Sequence, residues 1–119
     1  MARDLAEYFI LDALADDVES LEQILPAVRR AVEYWDVSEA PSAFGRDRIV
    51  GSLIRLIREE SVAALVYTAT DKALVDVGNG VVPSGSLDDY WFRLTGRGRV
   101  LHQSWEPPPE RVRRGGAAV

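Results

Sequence analysis

Residues 46–60 constrain the fold more than any other segment, because their apolar and polar side chains separate at helical spacing. At about 100° per residue, the large aliphatic side chains fall within one broad arc of a helix. They are Ile49, Val50, Leu53, Ile54, Leu56 and Ile57. The opposite arc holds Arg48, Gly51, Ser52, Arg55, Arg58 and Glu59. The segment therefore predicts a helix that buries one face against another layer and turns a polar face to solvent.

A first helix is predicted over residues 4–15, where large apolar residues recur at helical spacing and Asp4 stands at the N-cap position. It belongs to an acidic half of the chain, since residues 1–42 hold ten acidic and three basic residues. Residues 43–119 hold nine acidic and eleven basic residues. The net charge of −5 thus arises in the N-terminal helices, and it opposes indiscriminate binding to nucleic acid.

A second helix is predicted to begin near Leu21. Ser20 and Gln23 have the spacing of a capping box just before this point. Pro26 either kinks the helix or restarts it as a first-turn proline, and the helical pattern then continues to Trp35.

Two strands are predicted after the third helix. Residues 62–70 are rich in β-forming residues, and residues 90–94 alternate large apolar side chains with Trp91 and Arg93. The long connection between them contains Asn79-Gly80, a pair that often closes a hairpin.

A last short helix follows the second strand, with Thr95 as its N-cap and its end near Trp105. Three consecutive prolines from Pro107 stop it, because proline donates no backbone hydrogen bond. The chain is therefore divided into one domain, residues 1–106, and a tail, residues 107–119. The tail is proline-rich and then basic, and it is predicted to be disordered.

The predicted fold is α+β, with three helices, a two-stranded wing that has a long connection, and a short C-terminal helix. This is the order of a winged helix-turn-helix domain. Residues 90–99 resemble the end of the wing in bacterial regulators of the MarR and PadR type. In that family an aromatic-rich strand ends in Leu-Thr, and Gly-Arg follows after two residues, here Leu94, Thr95, Gly98 and Arg99. The leucine is expected to fill the core, the threonine to cap the helix, and the glycine to permit close approach of the backbone.

The chain departs from this family at two places. The third helix of the family commonly ends in Glu-x-Gly-Leu-Val, whereas this chain has Glu59-Glu60-Ser61-Val62 and no glycine. The connection between the two strands is also longer than the usual wing.

The resemblance implies that the third helix lies in the major groove of DNA and that its outer side chains contact bases and phosphates. The residues so implied are Arg48, Ser52, Arg55 and Arg58, with Lys72 of the connection as a wing contact to phosphate. The alternative is a solvated face, on which Asp47 and Glu59 dilute the positive charge. The DNA-binding hypothesis requires that Arg48 and Arg55 are not held in ion pairs within their own chain.

Other residues have weaker functional interpretations. Three arginines at the base of the wing are further candidates for phosphate contact: Arg93, Arg97 and Arg99. For Arg99 a structural ion pair with an acidic residue is the favoured alternative. Three tryptophans are expected in the core or in a dimer contact, or else in a ligand pocket between the helices and the wing: Trp35, Trp91 and Trp105. The single histidine, His102, is expected at the surface or half-buried.

The composition excludes several functions. The absence of cysteine excludes disulfides, a catalytic thiol and thiolate zinc sites, and a single histidine cannot form a transition-metal site alone. No glycine-rich phosphate loop, Ser–His–Asp order or paired carboxylate motif is present, so no catalytic residue, metal or cofactor is predicted. No apolar run is long enough for a membrane span, and the start lacks the apolar stretch of a signal peptide, so a cytoplasmic location is expected.

The leading functional hypothesis from the sequence is a DNA-binding transcriptional regulator. Its partner is double-stranded DNA, and it is expected to act as a homodimer, because two half-sites increase both affinity and specificity. The alternative is a winged-helix protein–protein interaction module that does not bind DNA. The acidic net charge and the lack of a long basic segment favour the alternative.

Overall fold

The computed structural model describes residues 4–108, which form four α-helices and one four-stranded antiparallel sheet. In chain order the elements are α1 (Leu5–Ala13), β1 (Glu19–Ser20), α2 (Leu21–Tyr34), α3 (Arg46–Arg58), β2 (Val62–Thr68), β3 (Ala73–Asp76), β4 (Trp91–Leu94) and α4 (Gly96–Ser104). Two short 3₁₀ turns lie at Pro41–Ala43 and Leu87–Asp89. The α+β class is confirmed. The predicted tail, apart from residues 107 and 108, lies outside the described range.

Helix α2 is continuous through Pro26, which settles the choice between one helix and a restart. Its N-cap is Ser20, which forms a capping box with Gln23. The side-chain Oε1 of Gln23 accepts the backbone N–H of Ser20 at 2.8 Å. The predicted start of this helix is therefore confirmed.

Helix α3 ends two residues earlier than predicted, in a Schellman motif. The N–H of Ser61 donates to the carbonyl of Leu56, and the N–H of Glu60 donates to that of Ile57, both at 2.9 Å. The motif requires a left-handed residue after the C-cap, and Glu60 fills this position with a φ of 64°. A glutamate thus occupies a conformation that favours glycine.

The sheet has the strand order β1-β4-β2-β3, with β4 and β2 as its two inner strands. Strand β1 pairs with β4, and both β4 and β3 pair with β2 in antiparallel register. Neither β1 nor β3 was predicted: β1 has only two residues, and Ala73-Leu74-Val75-Asp76 does not alternate apolar and polar residues. The prediction that Asn79-Gly80 closes a hairpin was wrong. Residues 69–72 form the turn that connects β2 to β3, and Asn79-Gly80 lies after β3.

The connection from β3 to β4 folds back against the helices. At one end, a Cβ placed on Gly80 would lie 3.7 Å from the carbonyl oxygen of Arg58, at the C-terminal end of α3. At the other end, Asp88 accepts a 2.7 Å ion pair from Arg46, in the first turn of α3. Leu87 between them is buried. The connection therefore reaches α3 at both ends of that helix.

The core lies between the helices and one face of the sheet. Leu53, Ile57, Phe92 and Leu94 are all buried in it, and Leu53 is 0% exposed. The third helix and the two strands predicted from the sequence therefore pack together. Leu65 is also buried, but it lies on the other face of the sheet, because alternate residues of β2 face opposite sides and Ala64 belongs to the core.

Candidate nucleic-acid interface

Arg48 is held by two carboxylates of its own chain. Its Nη2 forms an ion pair with Oδ1 of Asp4, the N-cap of α1, and its Nε donates to Oδ2 of Asp4 at 3.3 Å. On the other side, Nη1 and Nη2 donate to the two carboxylate oxygens of Glu39 at 3.1 and 3.0 Å. Nη1 also donates to the carbonyl of Ala43 at 3.2 Å. The planar donor fork of this arginine is thus occupied within the chain.

The electrostatics agree with this geometry. The hydrogen bond from Arg48 lowers the pKa of Asp4 below its ordinary value. The bonds to Asp4 and then to Glu39 raise the pKa of Arg48 above its ordinary value. The guanidinium carbon of Arg48 lies 4.3 Å from the ring centroid of Phe44, within cation–π range. Arg48 therefore ties α1 to α3 and to the loop that precedes α3.

Ser52 does not face solvent, which corrects the expectation from the helix wheel. It is 1% exposed, and its Oγ lies 3.5 Å from Oδ2 of Asp4. Ile49 and Leu56, three residues before it and four after it, are also buried. The buried arc of α3 is therefore rotated toward Ser52, whose small side chain allows α1 to pack closely. Val50 and Ile54, which were expected inside the core, are only half-buried.

Arg55 stays half-exposed but lies beside the same acidic groups. Its side chain is 55% exposed. Its Nη2 lies 3.8 Å from Oδ2 of Asp4, and its Nε lies 3.6 Å from Oε1 of the buried Glu7. Nη2 also donates to the Oγ of Ser52 at 3.3 Å. Two of the four helix residues predicted to contact DNA are thus paired with carboxylates of α1.

Arg58 and Lys72 are exposed, and no ion pair to either is found among residues 4–108. Arg58 is the last residue of α3. Lys72 ends the turn between β2 and β3 with a φ of 50°. Their assignment to DNA contact stays a prediction, as does that of Arg48, Ser52 and Arg55.

The solvent-facing strip of α3 is weakly charged. It contains Asp47 and Gly51, both exposed, with the half-buried Val50 and Ile54 beside them. A Cβ on Gly51 would meet no heavy atom within 4 Å, so the helix surface is open there. This strip, Asp47–Val50–Gly51–Ile54, is called the α3 face below. It presents apolar carbon and one carboxylate, and the exposed Arg58 continues the same side of the helix one turn after Ile54.

The arginines at the base of the sheet have local partners. Arg93 pairs with Asp76 across the outer face of the sheet at 2.9 Å. Arg99 Nη1 donates to the carbonyl of Ala15 at 3.3 Å, just beyond the end of α1, so its partner is a backbone group instead of the expected acidic residue. Arg97 is exposed.

The tryptophans are spread over separate sites. Trp105 stacks on Tyr8 of α1, with ring centroids 5.1 Å apart, and Trp35 contacts Tyr34. Trp91 borders an open groove beside α2 that is also lined by charged residues. Neither Trp35 nor Trp105 lines this groove. His102 is half-buried, as expected, with Nε2 3.0 Å from Oδ1 of Asp12.

The sequence did not identify Asp4 and Glu39 as partners of Arg48. Asp4 was predicted only as a helix cap, a role it also fills by accepting the N–H of Ala6 at 3.3 Å. Glu39 lies in an irregular loop, and its pattern carries no signal for a contact with α3.

The chain matches no protein-family model, no curated protein and no solved structure. Within residues 4–108, no group of three or more acidic or histidine side chains is arranged to hold a metal ion. The helices of this part of the chain are too short or too polar to cross a membrane.

Proposed function

We propose that the chain is a winged-helix domain that acts as a protein–protein interaction module and does not bind DNA. The fold proposal is supported by three helices followed by antiparallel strands, and by β1, which precedes α2 and pairs with β4. It is further supported by the Leu94-Thr95-Gly98 junction, in which each residue has the role that the MarR and PadR resemblance implies. Leu94 is buried, and the Oγ1 of Thr95 accepts the N–H of Gly98 at 3.0 Å.

One observation carries the functional proposal: two of the arginines of α3 that were predicted to contact DNA lie against carboxylates of the same chain. Arg48 is paired with Asp4 and Glu39, and Arg55 lies beside Asp4 and Glu7. A bidentate contact of Arg48 with guanine or phosphate would require these ion pairs to break, and the freed carboxylates would then repel the DNA. The uncharged centre of the α3 face suits a protein surface better.

A DNA-binding assay tests the claim that the chain does not bind DNA. Mobility shifts against mixed genomic fragments at low and moderate salt are expected to show nothing tighter than non-specific binding, about 100 µM or weaker at moderate salt. Arg55→Ala and Arg58→Ala are expected to behave like the wild type. If Arg55→Ala instead weakened a measurable complex by about 1–3 kcal/mol, α3 would be a DNA-reading helix and the proposal would fail.

Photo-crosslinking in the source cell tests the claim that the α3 face binds another protein. A photoreactive amino acid at Gly51 places the probe in the middle of the α3 face, where the space is open. Gly96, at the start of α4, offers an equally open control position. A discrete adduct at position 51 that protease removes and nuclease leaves intact is expected, with no such adduct at position 96. Adducts that nuclease removes, or the same adducts from both positions, would contradict the proposal.

A further inference from the structure

The outer edge of strand β3 is open within residues 4–108, and its hydrogen-bonding groups can be assigned by parity. The N–H of Val77 donates to the carbonyl of Ala64 at 2.9 Å, in line with the register that sets Val75 opposite Val66. In an antiparallel ladder, residues alternate between exchanging bonds with the neighbouring strand and pointing away from it. The backbone groups of Leu74 and Asp76 therefore point away from β2, toward the open edge.

We propose that this edge pairs with the same edge of a second copy of the chain, in antiparallel register about Leu74. Residues 72–76 are complementary in charge to themselves, with Lys72 at one end and Asp76 at the other. With Leu74 opposite the partner's Leu74, the turn residue Lys72, directly before β3, lies next to the partner's Asp76, and the same contact forms again by symmetry. A two-fold contact must match a surface to itself, and this register does so with two ion pairs.

The hydrogen-bonding parity permits this register and excludes registers shifted by one residue. Leu74 and the partner's Leu74 both direct their N–H and C=O groups to the open edge, so they form a pair that exchanges two hydrogen bonds. A register shifted by one residue would place Leu74 opposite Val75, whose backbone groups already serve β2, and the bonds would be lost.

Exposed apolar side chains flank this edge. Tyr67 is 57% exposed and lies opposite Leu74 in the β2–β3 register, so both side chains share the outer face of the sheet. Pairing two edges would create a continuous row of Tyr67, Leu74 and the same two residues of the second copy. Val75, 38% exposed, would be covered on the other face. Because β3 has only four residues, the contact is small and the dimer is expected to be weak, with a dissociation constant in the micromolar range or above.

This inference does not depend on whether α3 binds protein or DNA. The dimer edge contains no residue of the α3 face, so a failure of one proposal leaves the other standing.

Disulfide formation by a single introduced cysteine tests which residues of the two copies lie opposite each other, since the natural chain contains no cysteine. In Leu74→Cys the two copies place their Cα atoms about 5.5 Å apart, within the range of a disulfide. In the control Ala73→Cys, position 73 lies opposite position 75 of the second copy, so the two cysteines are about 8 Å apart and cannot bridge without movement of the backbone. Under mild oxidation, Leu74→Cys is expected to form a disulfide dimer at least tenfold faster than Ala73→Cys. Equal rates, or no dimer from Leu74→Cys, would overturn the proposal.

Charge reversal gives an independent measurement on the cysteine-free chain by sedimentation equilibrium. Lys72→Glu and Asp76→Lys are each expected to weaken self-association at least tenfold, because both ion pairs become repulsive. Mixing the two variants is expected to restore association, because the mixed dimer places the new glutamate opposite the new lysine at one site and keeps the natural pair of Lys72 and Asp76 at the other. Recovery in the mixture would also show that the variants associate weakly because the edge contact is repulsive, and not because Asp76→Lys loses the internal ion pair with Arg93. A wild type that stays monomeric up to millimolar concentration, or a mixture that associates no better than either variant, would overturn the proposal.

Discussion

Gly98 and Ser61 approach so closely that no side chain fits between them: a Cβ on Gly98 would lie 1.9 Å from the carbonyl oxygen of Ser61. The same carbonyl accepts the N–H of Thr95 at 3.1 Å, and the hydroxyl of Thr95 donates to the carbonyl of Glu60 at 2.6 Å. The first turn of α4 is thereby held against the end of α3 through backbone groups.

Gly98→Ala is therefore expected to destabilise the fold strongly. The added methyl must displace either α4 or the backbone after α3, at a cost of about 3 kcal/mol in the free energy of unfolding. Urea denaturation followed by circular dichroism measures this. Gly96→Ala is the matched control, because its Cβ would meet no heavy atom within 4 Å, and it is expected to gain about 0.5 kcal/mol. Two variants of equal stability would show that the close contact is absent.

Glu60→Gly is expected to stabilise the chain. Glu60 has a left-handed φ of 64°, which costs a non-glycine residue about 1 kcal/mol or more, and glycine relieves this cost. The larger entropy of glycine in the unfolded chain offsets part of the gain, which leaves about 0.5 kcal/mol, read from the melting temperature. Glu60→Ala removes the charge but keeps the strained backbone, so it is expected to stay close to the wild type. A loss of stability in the glycine variant would argue against the Schellman end of α3.

Leu53→Ala is expected to cost about 2–5 kcal/mol in the free energy of unfolding, since this side chain is completely buried between α3 and its neighbours. Ile54→Ala, one residue further on the half-buried α3 face, is the control and is expected to cost clearly less. Chemical denaturation of both variants under one condition gives the comparison. A cost for Leu53→Ala no greater than that of the control would place the core elsewhere.

The helices were predictable from the sequence because each repeats its apolar residues over several turns, as α3 does from Ile49 to Ile57. The junction at Leu94, Thr95 and Gly98 was also predictable, since a motif assigns each residue a local role. What escaped prediction depends on contacts between distant residues. Arg48 meets Asp4 only because α1 packs across α3, and a periodic pattern within one helix contains no information on that partner.

Strand β3 and the burial of Ser52 on α3 were also not predicted from the sequence. The residues of β3, Ala-Leu-Val-Asp, do not alternate apolar and polar side chains, and the turn before β3 has Lys72 in a left-handed conformation that is more typical of glycine or asparagine. The helix wheel places Ser52 on the polar side, because the wheel ranks residues by polarity. In the structure its small size, together with the acceptor at Asp4, decides its burial.

The ion pair between Asp4 and Arg48 makes stability depend on pH, and Asp4→Asn isolates this dependence. Asparagine keeps the capping ability of the residue at the start of α1 and removes only the charge. At pH 7 the variant is expected to be less stable by about 1–3 kcal/mol, the usual worth of a hydrogen bond to a charged group.

The sign of the pH effect follows from the lowered pKa of Asp4. A carboxyl whose pKa is lower in the folded state contributes stability that is present above its unfolded pKa, about 3.9, and is lost as pH falls through the folded value. The difference between wild type and Asp4→Asn is therefore expected to be constant from pH 7 to about pH 5 and to shrink toward zero as the pH falls below about 4. Urea denaturation of both proteins across this range measures it, and the other carboxyl groups cancel in the difference. A difference that stayed constant down to pH 2 would show that Asp4 acts through its cap alone, and Arg48 would then be available to an external anion.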